Sequence, residues 1–506
     1  MQTSSLQRKS GILLHHSCFP GKEGIGTLGL EARQFLDFCV QAGQSLWQMC
    51  PLGPTGYGDS PYQCFSAFAG NPLLIDLTPF LKRGWISPAD TLPLHKLPQD
   101  RVDFGPLITL KDLILRKAFQ GFQNACQSPT ANGRTLTAQF DRFKQNSSDW
   151  LPDFSLFMAL KREYGGASWN TWPVDIRQRE PKAVTYWRHQ LSQEISYHQF
   201  LQFTFFDQWI ELTAYAHQRG IQTIGDMPIF VAYDSADVWS KPQFFLLDPS
   251  GNPTEVAGVP PDYFSATGQL WGNPLYNWEA LKNDGYSWWI KILKSKLAMY
   301  DYIRIDHFRG FAAYWSIPYG ETTAINGTWK PAPGKELFSA VRSQLGPVPI
   351  IAEDLGLITS DVTELIEYCD FPGMKVLQFA FDSNEENDHL PHNYQAHSVV
   401  YTGTHDNDTV RGWFEHATPE DQDFACNYLK STSKSQIQWE FIQTCLSSVA
   451  KFALAPLQDL LGLGSSARMN LPGSFGGNWT WRYDAKALRP EIARQLRELT
   501  RLYSRF

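Results

Sequence analysis

The sequence predicts a (β/α)8 barrel enlarged by insertions, and three observations carry that prediction. Short, nearly continuous apolar runs recur along the chain and end in polar or acidic residues, as strands buried on both faces do. Helical patterns separate several of these runs, and strand–helix alternation implies a parallel sheet with right-handed crossovers. The runs number about eight, which favours a closed barrel over the alternative of a doubly wound sheet beside a helical domain.

The first run is residues 45–51, SLWQMCP. Much of residues 109–198 then reads as helix. Residues 200–205, FLQFTF, alternate like a strand and supply the second run. An amphipathic stretch over 207–219 reads as helix and ends at Gly220, a C′ glycine. Residues 221–226, IQTIGD, follow as a strand that stops at an acid. Residues 227–283 are rich in Pro, Gly and aromatics and lack a long periodicity. Four more runs come next: 302–307 (YIRIDH), 348–354 (VPIIAED), 374–379 (MKVLQF) and 398–406 (SVVYTGTHD). Between them, 360–368 opens with Ser-Asp and turns Leu365 and Ile366 inward as a helix. Residues 453–459, ALAPLQD, complete the count.

At 506 residues the chain exceeds the roughly 250–300 residues at which single cores stop growing. One unit over 1–506, with a mostly helical insertion at about 72–198 and another at about 227–283, accounts for the length better than separate domains. Hydrophobic residues at 43% and charged residues at 19% describe a globular chain. A net charge of −7 argues against a nucleic-acid binder, which carries a basic face. No signal-peptide h-region and no run of about 20 apolar residues occurs, so no membrane span is expected. The eight cysteines are scattered without a CxxC pair, which excludes a zinc ribbon or disulfide scaffold and suits free thiols in a cytoplasmic enzyme. Aromatics reach 14%; such rings fill cores, and they also stack on sugars or bases.

In a parallel barrel, catalytic groups come from the carboxyl ends of different strands. Four acids sit at such ends: Asp226, Asp306, Glu353 and Asp406. Any one of them alone reads equally well as a helix N-cap. Four together suit either metal binding or glycosidic cleavage, in which one carboxylate attacks the anomeric carbon and another protonates the leaving oxygen. Arg304 lies two residues before Asp306, on the same side of its strand, where a guanidinium keeps the carboxylate ionised. Glu353 follows an apolar lead that raises its pKa and suits it to general-acid work. The stretch His405-Asp406-Asn407-Asp408 reads as metal ligands or as sugar-hydroxyl partners, but it lacks a second nearby His and the calcium-loop spacing. There is no P-loop, no GxGxxG opening a helix after a strand and no GxSxG elbow. Nothing in the sequence demands a metal or an organic cofactor.

The segments RIDHFRG (304–310), AEDLG (352–356) and GTHDNDT (403–409) together resemble the 4-α-glucanotransferases, also called amylomaltases or disproportionating enzymes. These form glycoside hydrolase family 77, a branch of the α-amylase superfamily. PLGPTGYGDSPYQ (51–63), GDMPIFV (225–231), ARMNLPG (467–473) and GNW (477–479) continue the resemblance in order, from about residue 10 to the C-terminus. It implies a TIM barrel without a separate C-terminal β-domain. It further implies Asp306 as the nucleophile, Glu353 as the general acid and base, and Asp406 as the third carboxylate. Arg304 would orient Asp306, His405 would bind hydroxyls beside Asp406, and Asp226 would support the site. Tyr62 would stack on a donor-side sugar, while Asp382 and Asn478 are further sugar-contact candidates. Cys50 and Cys64 depart from the family pattern without touching the chemistry.

The implied reaction is transfer of an α-1,4-glucan segment to the 4-hydroxyl of an acceptor, without cofactor. The implied partners are α-1,4-glucans and maltooligosaccharides, with a monomer or small homo-oligomer as the working form. An α-glucan hydrolase of the same superfamily and a non-catalytic glucan-binding protein are the alternatives. Transfer wins over hydrolysis when water is excluded while an acceptor is held. The segment 258–274, with Tyr263, Phe264 and Trp271, is the expected substrate-covering loop.

Overall fold

The computed structural model describes residues 8–506 apart from 262–264, 383, 432–433 and 475. Among these, twelve strands form in chain order: β1 (Lys9–Leu13), β2 (Leu46–Gln48), β3 (Gln222–Pro228), β4 (Glu255–Val259), β5 (Gln269–Pro274), β6 (Tyr302–Asp306), β7 (Ala313–Pro318), β8 (Thr328–Pro331), β9 (Ile350–Ala352), β10 (Gly373–Val376), β11 (Ser398–Tyr401) and β12 (Phe452–Pro456). Eight of them make one sheet in the order β10-β11-β12-β1-β2-β3-β6-β9, all paired in parallel. The Ala352 N–H donates to the Pro372 carbonyl at 2.9 Å, which draws β9 against the start of β10 and closes the ring. This is the predicted (β/α)8 barrel.

The barrel is filled rather than hollow. Leu46, Ile224, Ile351, Met374, Val399, Tyr401, Phe452 and Leu454 pack against one another from six strands, with Tyr302 of β6 beside them. Such layers of inward side chains are what alternate positions on tilted parallel strands produce. Gly11 on β1 is needed where β1 meets β2, since a Cβ there would lie 2.3 Å from the Leu46 carbonyl oxygen. Two larger apolar clusters wrap the barrel from outside.

The strand count was right for a partly wrong reason. Residues 200–205 are not a strand; they lie inside the long helix Ser192–His217. The helical period is hidden because polar residues are buried on it. Gln202 bridges both backbone groups of Gly70, and Gln208 does the same for Asp76, all at 2.8–2.9 Å. The helix therefore buries Gln202 and Gln208 together with Phe200, Leu201 and Phe205, and the alternation of FLQFTF imitates a two-residue repeat. Gly220 follows it at φ +74°, the left-handed stop expected there. The eighth strand is β1, whose Lys9-Ser10 start conceals it in the sequence although Ser10 is 1% exposed.

Between β2 and β3 the chain forms further helices, among them Phe104–Gln127, Ala131–Asn146 and Leu151–Glu163. The segment after β3 contributes β4 and β5 to a four-stranded antiparallel sheet of order β5-β4-β7-β8. Its other half is the β7–β8 hairpin that follows β6, a pairing that no local pattern signals. The sheet stands over the carboxyl end of β6.

Candidate active site

The acids converge because their strands are neighbours. In the β3–β6 register Asp226 stands opposite Arg304, and Asp306 ends β6. One Arg304 amine, Nη1, reaches both oxygens of Asp226 at 2.7–2.8 Å, and Nη2 lies 3.0 Å from Asp306 Oδ1. The same-side geometry expected of Arg304 and Asp306 is present, yet the closer partner of Arg304 is Asp226. Tyr62, in the loop after β2, donates its hydroxyl to Asp226 Oδ2 at 2.8 Å. Arg304 and Asp226 are 3% and 1% exposed at their side chains, whereas Asp306 is 30% exposed and opens toward solvent.

Burial pushes the Asp306 carboxyl up to about 6, with the Asp226 and Asp406 charges acting the same way, while Arg304 and His405 pull it down. Arg304 thus limits a rise rather than producing the low value its position suggested.

Glu353 follows β9 directly. Its Oε2 accepts the His307 N–H at 2.6 Å and its Oε1 accepts the Leu355 N–H at 2.8 Å. His307 holds a left-handed backbone at φ +54°, a strained conformation for a non-glycine residue that aims its N–H at the carboxylate. Burial, then the neighbouring Asp306 charge, raise the Glu353 carboxyl to about 8 despite those two donors and Arg304.

Asp406 lies in the loop after β11 and is 42% exposed at its side chain. His405 Nε2 is 3.3 Å from its Oδ2, Asn470 donates to Oδ1 at 2.6 Å, and Arg468 donates to the Asp406 carbonyl. Burial works against the Asp406 charge, but His405 and the Asn470 amide outweigh it and hold the carboxyl well below the usual range. The reciprocal field of Asp406 raises His405 against its own burial. Tyr62 stacks on His405 with centroids 5.1 Å apart, and Trp479 leans on both rings at 5.7–5.8 Å.

The structure therefore brings together Asp226, Arg304, Asp306, Glu353, His405, Asp406 and Tyr62. Trp271 on β5 also arrives, with its ring edge-on to His307 at 4.8 Å. Asp382 is exposed, and its carboxylate accepts the Asn384 N–H at 3.1 Å in a local turn. Asn478 ties its own loop, accepting from Leu471 N–H at 3.0 Å and donating to Ser474. Tyr263 and Phe264 fall outside the described residues. Sequence reading did not single out Asn470, Arg468 and Trp479, although each lies in a segment that carried the resemblance. Their signal was position alone, since nothing local says that residue 470 meets residue 406. Among the described residues no group of three or more His, Cys, Asp or Glu is arranged to hold a metal ion, and no helix is long and apolar enough to cross a membrane.

Comparisons with known proteins show the family and the fold. The family model described as 4-alpha-glucanotransferase, glycoside hydrolase family 77, matches residues 14–487. A 4-alpha-glucanotransferase from a Synechocystis strain is 51% identical over 99% of this chain and 98% of its own length. One from Thermus thermophilus is 50% identical over 98% of each. The solved amylomaltase from Streptococcus agalactiae in complex with acarbose superposes with a TM-score of 0.94 at 41% identity, covering 98% of this chain and 99% of that one. With Asp226, Asp306, Glu353, Asp406 and Arg304 gathered at one barrel mouth, and a family model and full-length relatives matching, the chain belongs to the 4-alpha-glucanotransferases of glycoside hydrolase family 77.

Proposed function

We propose that this 4-α-glucanotransferase works by double displacement, with Asp306 as the nucleophile and Glu353 as the acid and then the base. The Asp306 carboxylate attacks the anomeric carbon while Glu353 gives its proton to the glycosidic oxygen, and the reducing-end fragment leaves. A β-linked glycosyl ester on Asp306 remains. An acceptor 4-hydroxyl then attacks as Glu353 takes its proton, forming a new α-1,4 bond and freeing Asp306. Asp406, kept ionised by His405 and Asn470, holds sugar hydroxyls and steadies the oxocarbenium-like charge. Tyr62 and Trp271 offer ring faces to flanking glucose units. Asp226 fixes Arg304, which orients Asp306. Maltooligosaccharides are the proposed donors and acceptors, on a single catalytic unit with insertions at about 72–198 and 227–283.

One observation carries this reading: Asp306 opens toward solvent 3.0 Å from Arg304, while Glu353 is buried against two backbone N–H donors, a contrast that puts the first carboxyl at about 6 and the second at about 8. Between those values the first is mostly ionised and the second mostly protonated, as a nucleophile and an acid must be. The expected kcat/KM for maltotriose is bell-shaped, falling below about 6 as Asp306 gains its proton and above about 8 as Glu353 loses its own. A profile flat from pH 5 to 9 with chemistry rate-limiting overturns the assignment.

The β4–β5 hairpin, with Val259 opposite Gln269, is the proposed cover over the donor glucan. Shortening its tip is expected to raise glucose release by hydrolysis relative to the ladder of longer maltooligosaccharides. Chromatography of maltotriose digests reads the ratio, and an unchanged ratio removes the lid role.

A further inference from the structure

Arg309 has no part in the chemistry described above, yet it is 5% exposed and sits three residues beyond Asp306. It lies on the short helix Phe308–Phe311 that follows β6. Its Nη1 donates to the Leu357 carbonyl, in the loop that runs on from Glu353. Its guanidinium lies 3.8 Å over the Trp329 ring of β8, and its Nε is buried without a hydrogen-bond partner. A guanidinium over an indole ring is held in place by the ring's negative face.

The loop after β6 and the loop after β9 meet along three hydrogen bonds. The His307 N–H goes to Glu353 Oε2 at 2.6 Å, the Phe308 N–H goes to the Glu353 carbonyl at 3.0 Å, and Arg309 goes to the Leu357 carbonyl. Between the second and third, the Leu355 N–H holds Glu353 Oε1 at 2.8 Å. Arg309 is the side chain among these donors, and it fixes the far end of the segment whose near end carries the acid. Trp329 in turn anchors Arg309 to the antiparallel sheet.

We propose that Arg309 is a positioning residue for the general acid: braced on Trp329, it holds residues 353–357 so that the Glu353 carboxyl points at the glycosidic oxygen. The proposal rests on the reading of Glu353 as the acid. A displacement of about 1 Å at a reacting group is enough to cost about 10²-fold in rate.

The test separates protonation from attack. Maltotriose needs its leaving oxygen protonated; α-maltosyl fluoride does not, because fluoride departs unaided as the Asp306 ester forms. Arg309→Ala is expected to lower kcat for maltotriose about 10²-fold with KM little changed, and to leave the first-turnover burst of fluoride within about threefold of wild type. Trp329→Ala should act in the same direction but less, and Arg309→Lys should recover part of the loss. Glu353→Gln is the control. If it loses maltotriose transfer but keeps the fluoride burst while Arg309→Ala loses both equally, the brace is overturned. If Glu353→Gln itself loses both equally, the acid assignment fails and takes the brace with it. A variant of Arg309 that transfers from maltotriose at the wild-type rate also overturns the brace.

Discussion

Asp306→Asn is expected to reduce glucan transfer by at least about 10⁴-fold while the protein stays folded, because in the proposed double displacement it removes the one group that bonds to carbon. The side chain is 30% exposed and its contact with Arg304 is a single one at 3.0 Å, so the unfolding midpoint should move little. The loss should appear in kcat for maltotriose, with the product ladder absent. The companion measurement is direct: a 5-fluoroglycosyl fluoride should leave a one-sugar mass increase on the wild type that maps to Asp306. A folded Asp306→Asn protein with near-normal disproportionation, or an adduct on Glu353 or Asp406 instead, would sink the double-displacement scheme.

The second large effect is expected at Arg304→Leu, on stability and chemistry together. Arg304 and Asp226 are almost fully buried, and among the described residues the Tyr62 hydroxyl is the other polar side-chain contact of Asp226. Removing the cation leaves a buried carboxylate without its charge partner, which costs about 3–5 kcal/mol. The thermal midpoint should fall accordingly. Arg304 also lowers the Asp306 carboxyl against burial, so its loss moves that group further up. The acid limb of kcat/KM therefore shifts above about 6, and the alkaline limb set by Glu353, which Arg304 also lowers, moves up with it. Arg304→Leu, Asp226→Leu is the informative double variant, since it takes out both buried charges. It should regain stability relative to the single variant, and the acid limb should return part of the way, because the Asp226 charge that pushes Asp306 up is gone too. An acid limb unmoved in Arg304→Leu would show that Arg304 does not tune Asp306.

The sequence was most legible where chemistry and strand ends coincide. Asp306 and Glu353 stand at the ends of apolar runs, and Arg304 two residues before Asp306 needed only the alternation of a strand to be placed. It was least legible where burial breaks the usual code. Gln202 and Gln208 read as surface residues but latch the backbone of residues 70 and 76, so a buried helix passed for a strand. Asp382 and Asn478 had plausible composition and neighbours, but their own loops use their polar atoms.

What the sequence determined by itself was the barrel class and the family, and it pointed to the acids that the fold brings together. These follow from local periodicity and short motifs, which are properties of neighbouring residues. The tertiary structure decided what requires distant residues to meet. It set the pairing of β1 with β12, the closure of the ring at β9 and β10, the Asn470 clamp on Asp406, the sheet built from segments on either side of β6, and the Arg309 contact with Trp329. It also set the charges that separate the two carboxyls: burial raises both, Arg304 holds Asp306 down, and the Asp306 charge raises Glu353 further.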